Sequence, residues 1–263
     1  MQQAHDFGDE SDALYALLAP LNDEDFDRPT LFKGWTINDI LAHLHIFNYL
    51  ADLSLTDEER FAAEYGELAG MMESGTSMMV ATDQILGHVK GQALLKLWHD
   101  YYPKSTQSFA DADPKQRVKW AGPDMSARSS ITARLMETWS HAQAIYDLLK
   151  VKRVNRDRIK NIAVMGMNTF GWTFINRGEG VPEDVPYVRL TAPSGEVWEW
   201  NEPSDNNRIE GLAEDFCQVV TQCRNIADTG LQVTGDTATR WMAVAQCFAG
   251  PPQTPPAAGT RQL

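Results

Sequence analysis

The chain has 263 residues and a mass of 29.4 kDa, enough for one large domain or two small ones. A hydrophobic share of 43% and eight tryptophans supply a sizeable core and exclude wholesale disorder. Acidic residues outnumber basic ones 36 to 23, a formal charge of −13, so the surface repels phosphate backbones and anionic lipid, and nucleic acid is excluded as the main partner.

The densest basic stretch, Lys150–Lys160, reads as a solvated turn between helices. Cys217, Cys223 and Cys247 give no disulfide framework and no cysteine zinc pattern, and read as small buried hydrophobes in a reducing compartment. The N-terminal MQQAHDFGDE lacks the basic and apolar regions of a signal peptide, and no apolar run is long enough to span a bilayer. The expected location is the cytoplasm, with no membrane partner.

In chain order, Ser11–Leu21 reads as a short amphipathic helix. A stronger one starts after the breaker Gly34, where Thr36 can cap and Asp39 follows in the first turn. Ile37, Ile40, Leu41, Leu44 and Phe47 then repeat at helical spacing. Further helices are predicted at Asp57–Met72, Met78–Leu86, Gln92–Phe109, Ala127–Leu149 and Arg156–Asn176. The cluster Met71, Met72, Met78 and Met79 reads as adaptable core. Long helices with short connections predict an antiparallel bundle over residues 1–178.

Gly178, Gly180, Pro182 and Pro186 then mark a linker. Tyr187–Ala192 and Glu196–Asn201, joined by Pro193–Gly195, alternate apolar and polar residues and predict a hairpin, with Arg208–Glu210 as a third strand. Ala213–Cys223 and Ala238–Phe248 read as helices. The class is therefore α+β: a helical bundle, a small α+β domain over residues 187–249, and a Pro-rich tail over 250–263 expected to be disordered or draped over the surface.

A Walker A loop, HExxH, a Rossmann fingerprint and GxSxG are all missing from the sequence. A histidine and carboxylate arrangement on two helices remains. His43 lies at the edge of the apolar stripe of its helix, and His45 lies about 160° around the same helix, so the two cannot face one ion. Glu137 and His141 share a face at i, i+4 and border the stripe of Ile131, Leu135, Thr138, Ala142, Ile145 and Leu149. Two helices packed by their stripes bring such edges together. Histidine, glutamate and histidine suit zinc or a similar divalent ion, with positions left for water or substrate. A Glu–His ion pair and a packing histidine explain the same spacing, and periodicity leaves that alternative open.

At these residues the chain resembles a known family. KGWTINDILAHL (Lys33–Leu44) is similar to the GWT-x-x-D-x-x-AH opening of the mycothiol-dependent maleylpyruvate isomerases, which belong to the DinB-like metal-binding bundles. RLMETWSHAQ (Arg134–Gln143) is similar to their R-x-x-E-x-W-x-H-x-Q segment, in the same order and at a similar separation. FGWTFINRG (Phe170–Gly178), the hairpin and Gly211–Gln222 resemble a less characterised, metal-binding branch.

The resemblance implies a DinB-like four-helix bundle that holds a divalent metal, usually zinc, through His43, Glu137 and His141. It implies a low-molecular-weight thiol, mycothiol or glutathione, that adds to a double bond, permits rotation and leaves. It also implies an arginine after an apolar C-terminal helix that holds a substrate carboxylate, for which Arg224 is the nearest match. Two departures stand out: Cys223 replaces the family's Gly before that arginine, and Ala144 stands where many members have Asp.

Other residues take roles around that core. Asp39 either orients the far ring nitrogen of His43 or complements the helix dipole. Arg134 holds an anionic substrate, neutralises Glu137 or forms a structural salt bridge. Trp35 and Trp139 are core or pocket-wall aromatics, and Arg177 either caps its helix or touches substrate. Two functional readings follow: a metal- and thiol-dependent isomerase or S-transferase acting on a small anionic substrate, and a metal-containing binding protein without turnover. Monomer and homodimer are both compatible with the sequence.

Overall fold

The computed structural model describes residues 1–120 and 122–261. The chain forms two compact units, Met1–Leu148 and Leu149–Leu263.

The first unit is built on four long helices: α1 (Gln2–Leu18), α2 (Ile37–Thr56), α5 (Gly91–Asp111) and α6 (Ala127–Leu149). Two shorter ones, α3 (Glu58–Glu73) and α4 (Met78–Ile85), pack on α2, and α5 packs on both α1 and α2. α1 starts earlier than the expected Ser11, because its buried stripe already begins at Ala4 and Phe7 and continues through Ser11, Leu14 and Leu18. Trp98, Trp139, Phe7, Phe26 and Phe109 are fully buried in this unit. Met71 and Met78 pack against the cluster of Ile46, Phe47, Leu50, Phe61 and Leu68, as expected of adaptable core, whereas Met72 is exposed. A short antiparallel pair, β1 (Arg117–Val118) and β2 (Met125–Ser126), leads into α6.

The second unit starts about thirty residues before the expected Gly178–Pro186 linker. Its first helices, α7 (Lys160–Asn168) and α8 (Phe170–Ile175), replace one predicted helix over Arg156–Asn176. The break falls at Thr169, whose hydroxyl donates to the carbonyls of Met165 and Gly166. α7 joins this unit because Gly166 lets it lie flush against Phe216 and Val220; a Cβ there would meet both side chains at 3.0 Å.

The hairpin forms as expected from β3 (Tyr187–Thr191) and β4 (Val197–Trp200), with Leu190 opposite Trp198. β5 (Arg208–Leu212) runs parallel to β3, and β6 (Gln232–Thr234), which is too short for its pattern to stand out, completes the order β4-β3-β5-β6. α9 (Ala213–Val220) and α10 (Asp236–Val244) each end before the expected Cys223 and Phe248.

The tail is draped rather than disordered over its described residues. Gln253 N–H donates to Gln246, Asn225 to the Pro256 carbonyl, Gly259 N–H to Asp228 and Arg261 to the Gln222 carbonyl. Gln262 and Leu263 of that predicted tail lie outside the described residues. All three cysteines are buried and unbridged, and burial pushes the Cys217 and Cys223 thiols up. Among the described residues, no helix is long and apolar enough to cross a membrane.

Candidate metal centre

The site begins with the local chemistry that fixes α2. Thr36 accepts the N–H of Asp39 at 3.1 Å, and the Asp39 carboxylate accepts the Thr36 N–H at 2.8 Å and its hydroxyl at 2.7 Å. This capping box sets the start of the helix. The Asp39 carboxylate is thus engaged at the cap, and among the described residues Nδ1 of His43 has no hydrogen-bond partner, which favours the helix-end reading of Asp39 over the orienting one.

Seven residues on from Thr36, His43 reaches across to α6. Its Nε2 lies 3.1 Å from Oε2 of Glu137, and Nε2 of His141 lies 3.1 Å from the same oxygen. One ligand atom from each of the three falls within 4.8 Å of the others. The predicted His43, Glu137 and His141 are therefore brought together, and His45 is not among them; its ring faces Tyr101 instead. The side chains of His43 and His141 are 12% and 8% exposed, and Glu137 is 23% exposed, so the carboxylate is the group nearest solvent.

Burial and hydrogen bonding set the protonation of these groups. Burial lowers the His43 pKa to about 4 against the opposing hydrogen bond from Glu137, which leaves the imidazole neutral at pH 7. Burial alone would raise the Glu137 carboxyl, but hydrogen bonds with His141 and His43, together with their charges, outweigh it and hold the group well below the usual range. A neutral imidazole and an ionised carboxylate are the forms that coordinate metal. The donor set of two ring nitrogens and a carboxylate oxygen fits zinc or another borderline divalent ion.

Arg134 is 3% exposed, and its Nε donates to Oδ1 of Asn48 at 2.9 Å. Its guanidinium lies 5.8 Å from the centre of the Phe47 ring, and burial lowers its pKa to about 10, so it keeps its charge at neutral pH. It acts on Glu137 through space, without the direct salt bridge that one turn of helix suggested. Asn48 escaped the sequence reading because a lone polar residue in the run from Ile46 to Leu50 carries no motif; the structure shows it 1% exposed.

Aromatic rings close the other sides. Trp35 stacks on His141 with ring centres 5.6 Å apart and planes 4° from parallel. Phe32 meets His141 edge-on at 4.9 Å, and Phe47 lies 4.7 Å from His43. Trp35 is thus a wall of this site, and Trp139 is fully buried core.

Arg224 belongs to the second unit, where it is buried and donates to the Cys223 carbonyl at 3.1 Å. Arg177 in the same unit donates to the Gln253 carbonyl at 2.6 Å and so pins the tail.

Comparison with known proteins bears on this geometry. The family model described as the mycothiol maleylpyruvate isomerase N-terminal domain matches residues 7–146, the span that holds the three converging groups. Two uncharacterized proteins of Mycobacterium tuberculosis, from two strains, are each 37% identical over 243 residues, covering 92% of this chain and 93% of theirs. The crystal structure of the mycothiol-dependent maleylpyruvate isomerase is similar at a TM-score of 0.54 and 14% identity, over 88% of this chain and 91% of that one. A histidine-to-alanine mutant of that isomerase matches at 0.51 and 14%, over 83% and 87%. At this identity the likeness shows a shared fold.

Proposed function

We propose that this chain, which belongs to the mycothiol maleylpyruvate isomerase N-terminal domain family, is a divalent-metal-dependent enzyme that acts on a small anionic substrate with a low-molecular-weight thiol. The observation that carries the reading is the convergence of two Nε2 atoms on one Glu137 oxygen, at 3.1 Å each. We assign the metal to His43, Glu137 and His141, and zinc is the ion this donor set suits. When bound, a zinc ion supplies positive charge that favours thiolate over thiol near neutral pH.

The chain's own residues prepare the site. His43 is already neutral and Glu137 already ionised at pH 7, so neither must lose a proton to serve as a ligand. Arg134, still charged, adds to the attraction for an anion in a protein of net charge −13. The three cysteines are buried in the second unit, so the reacting sulfur comes from a dissociable thiol, mycothiol or glutathione. Its sulfur adds to one carbon of a cis double bond while the other carbon takes a proton. Rotation follows about the new single bond, and loss of the same sulfur and a proton gives the trans isomer. The thiol is regenerated and no oxidant is required. An S-transfer reaction differs only in that the C–S bond remains. Arg224 is assigned a substrate carboxylate from the family resemblance of the segment that precedes it.

The test is conversion of cis-enoates such as maleylpyruvate, followed by absorbance with mycothiol or glutathione. Thiol-dependent conversion that is abolished in Glu137→Ala and shows a raised KM in Arg224→Ala is the expected result. A second reading of the same three groups is a metal-containing binding protein without turnover. Tight ligand binding without conversion by either thiol would establish that reading instead.

A further inference from the structure

Histidines that ligate metals almost always donate their second ring N–H to a carboxylate, carbonyl or water, which fixes the plane of the ring. Here the far nitrogens, Nδ1 of His43 and Nδ1 of His141, are both buried and have no hydrogen-bond partner among the described residues. Asp39, the nearest sequence candidate for that task, is committed to the cap of α2. Hydrogen bonds hold the two rings at Nε2 only, so the far side of each imidazole is set by what packs against it.

Each ring is instead held between aromatic neighbours. His141 has Trp35 parallel to it and Phe32 edge-on; His43 has Trp35 at 5.5 Å and 62°, and Phe47 at 4.7 Å. These spacings and angles lie in the range where ring pairs attract. Phe32 and Trp35 come from one turn. Lys33 and Gly34 take φ of 52° and 72°, and the Trp35 N–H donates to the Phe32 carbonyl at 2.9 Å. Two successive left-handed residues closed by that bond make a type I′ turn. A second bond, from Thr30 N–H to the Trp35 carbonyl at 2.8 Å, continues the ladder. The turn therefore fixes Phe32 and Trp35 edge-to-face, with ring centres 5.3 Å apart, before any ligand is considered. Thr36 follows directly as the cap of α2, so the turn and the helix that bears His43 are set by adjoining residues.

We infer that the Phe32–Trp35 turn is a preformed aromatic clamp, and that Trp35 and Phe32 are positioning residues that orient the His43 and His141 imidazoles for metal binding in place of hydrogen bonds to their far nitrogens. The inference rests on the metal-site reading above, and the experiment separates the two. Trp35→Leu, Trp35→Phe and Phe32→Leu are compared with the parent chain by zinc affinity in chelator competition and by the visible spectrum of the cobalt(II) form. The imidazole proton shifts of the metal-free protein are measured alongside.

Trp35→Leu should weaken zinc binding by roughly tenfold or more, the usual effect of removing an outer-shell partner. It should also shift the cobalt bands while the far-UV helical signal holds, and Trp35→Phe should retain most of the affinity. The ring current of Trp35 should move the His141 protons upfield in the parent and release them in Trp35→Leu. Gly34→Val deletes no ring, and a Cβ there would meet nothing within 4 Å, so it acts by opposing the left-handed turn that places the rings and should also weaken affinity, a test that stands even where Trp35→Leu misfolds. Parent-like affinity and an unchanged cobalt spectrum in both leucine variants would overturn the clamp. If the parent itself takes up no ion, the metal reading fails, and the imidazole shifts alone decide: protons unshifted in the parent, or unmoved in Trp35→Leu, overturn the clamp as well.

Discussion

At the scale of single residues, the site works through what burial does to charge. Glu137 stays ionised because two imidazoles donate to it, and His43 stays neutral because desolvation exceeds the pull of that carboxylate. Glu137→Gln keeps the shape and removes the charge; it should abolish stoichiometric metal uptake while circular dichroism remains that of the parent, and retained uptake would show that the carboxylate is not a ligand. The Asn48–Arg134 bond is a separate prediction about stability. Asn48→Ala removes the acceptor of a buried charged donor, which should cost about 1–3 kcal/mol in urea titration. Asn48→Asp, which restores an acceptor, should recover most of it. Equal midpoints for the parent and the alanine variant would remove the bond from the account.

At the scale of elements, two features carry separable energies. Thr36→Ala deletes the capping hydroxyl and should cost about 1 kcal/mol. Gly166→Ala forces a methyl against Phe216 and Val220 and should cost about 1–3 kcal/mol through overpacking. Thermal melts of both variants check these values; an unchanged Gly166→Ala would mean that α7 and α9 have room to separate. Elements of this kind also show what was legible beforehand. α2 was readable because Thr36, Asp39 and a 3.6-residue apolar stripe all agree, and Glu137 with His141 was readable as one face of α6. Packing of the two apolar stripes pointed to their meeting with His43, spacing alone left an ion pair as the alternative, and the family resemblance favoured a metal site. Other features followed tertiary contacts that no local pattern encodes. Thr169 splits a helix by bonding to its own backbone, and Gly166 commits α7 to the second unit. The breakers at Gly178–Pro186 mark where the chain turns, not which core the preceding helices join. The tail, read from composition as disordered or draped, is held by hydrogen bonds to side chains such as Gln246, Asn225 and Asp228, which composition does not encode.

At the scale of the whole molecule, charge and titration set the working range. The net charge of −13 makes local cations, Arg134 and a bound divalent ion, the natural seats for an anionic ligand. The first unit also sets three tyrosines against carboxylates, Tyr102 buried and Tyr49 and Tyr101 partly so. Burial and the bond to Glu64 raise Tyr49 to about 12, and burial with Asp52 and Asp12 raises Tyr101 and Tyr102 further. A raised folded-state pKa leaves stability at its plateau below the unfolded value near 10 and removes it as pH climbs toward the folded value. Urea midpoints should therefore start to fall above about pH 8.5, where the raised Cys217 and Cys223 thiols begin to cost stability, and fall more steeply above about pH 10, with a smaller fall there in Tyr102→Phe; a flat profile to about pH 11.5 would contradict the assignment. The central claim is the metal centre, and elemental analysis of the full chain purified without chelator tests it most directly. The account predicts one divalent ion per chain, lost in His43→Ala, Glu137→Ala and His141→Ala alike. Full occupancy in all three variants, or no ion in the parent, would contradict it.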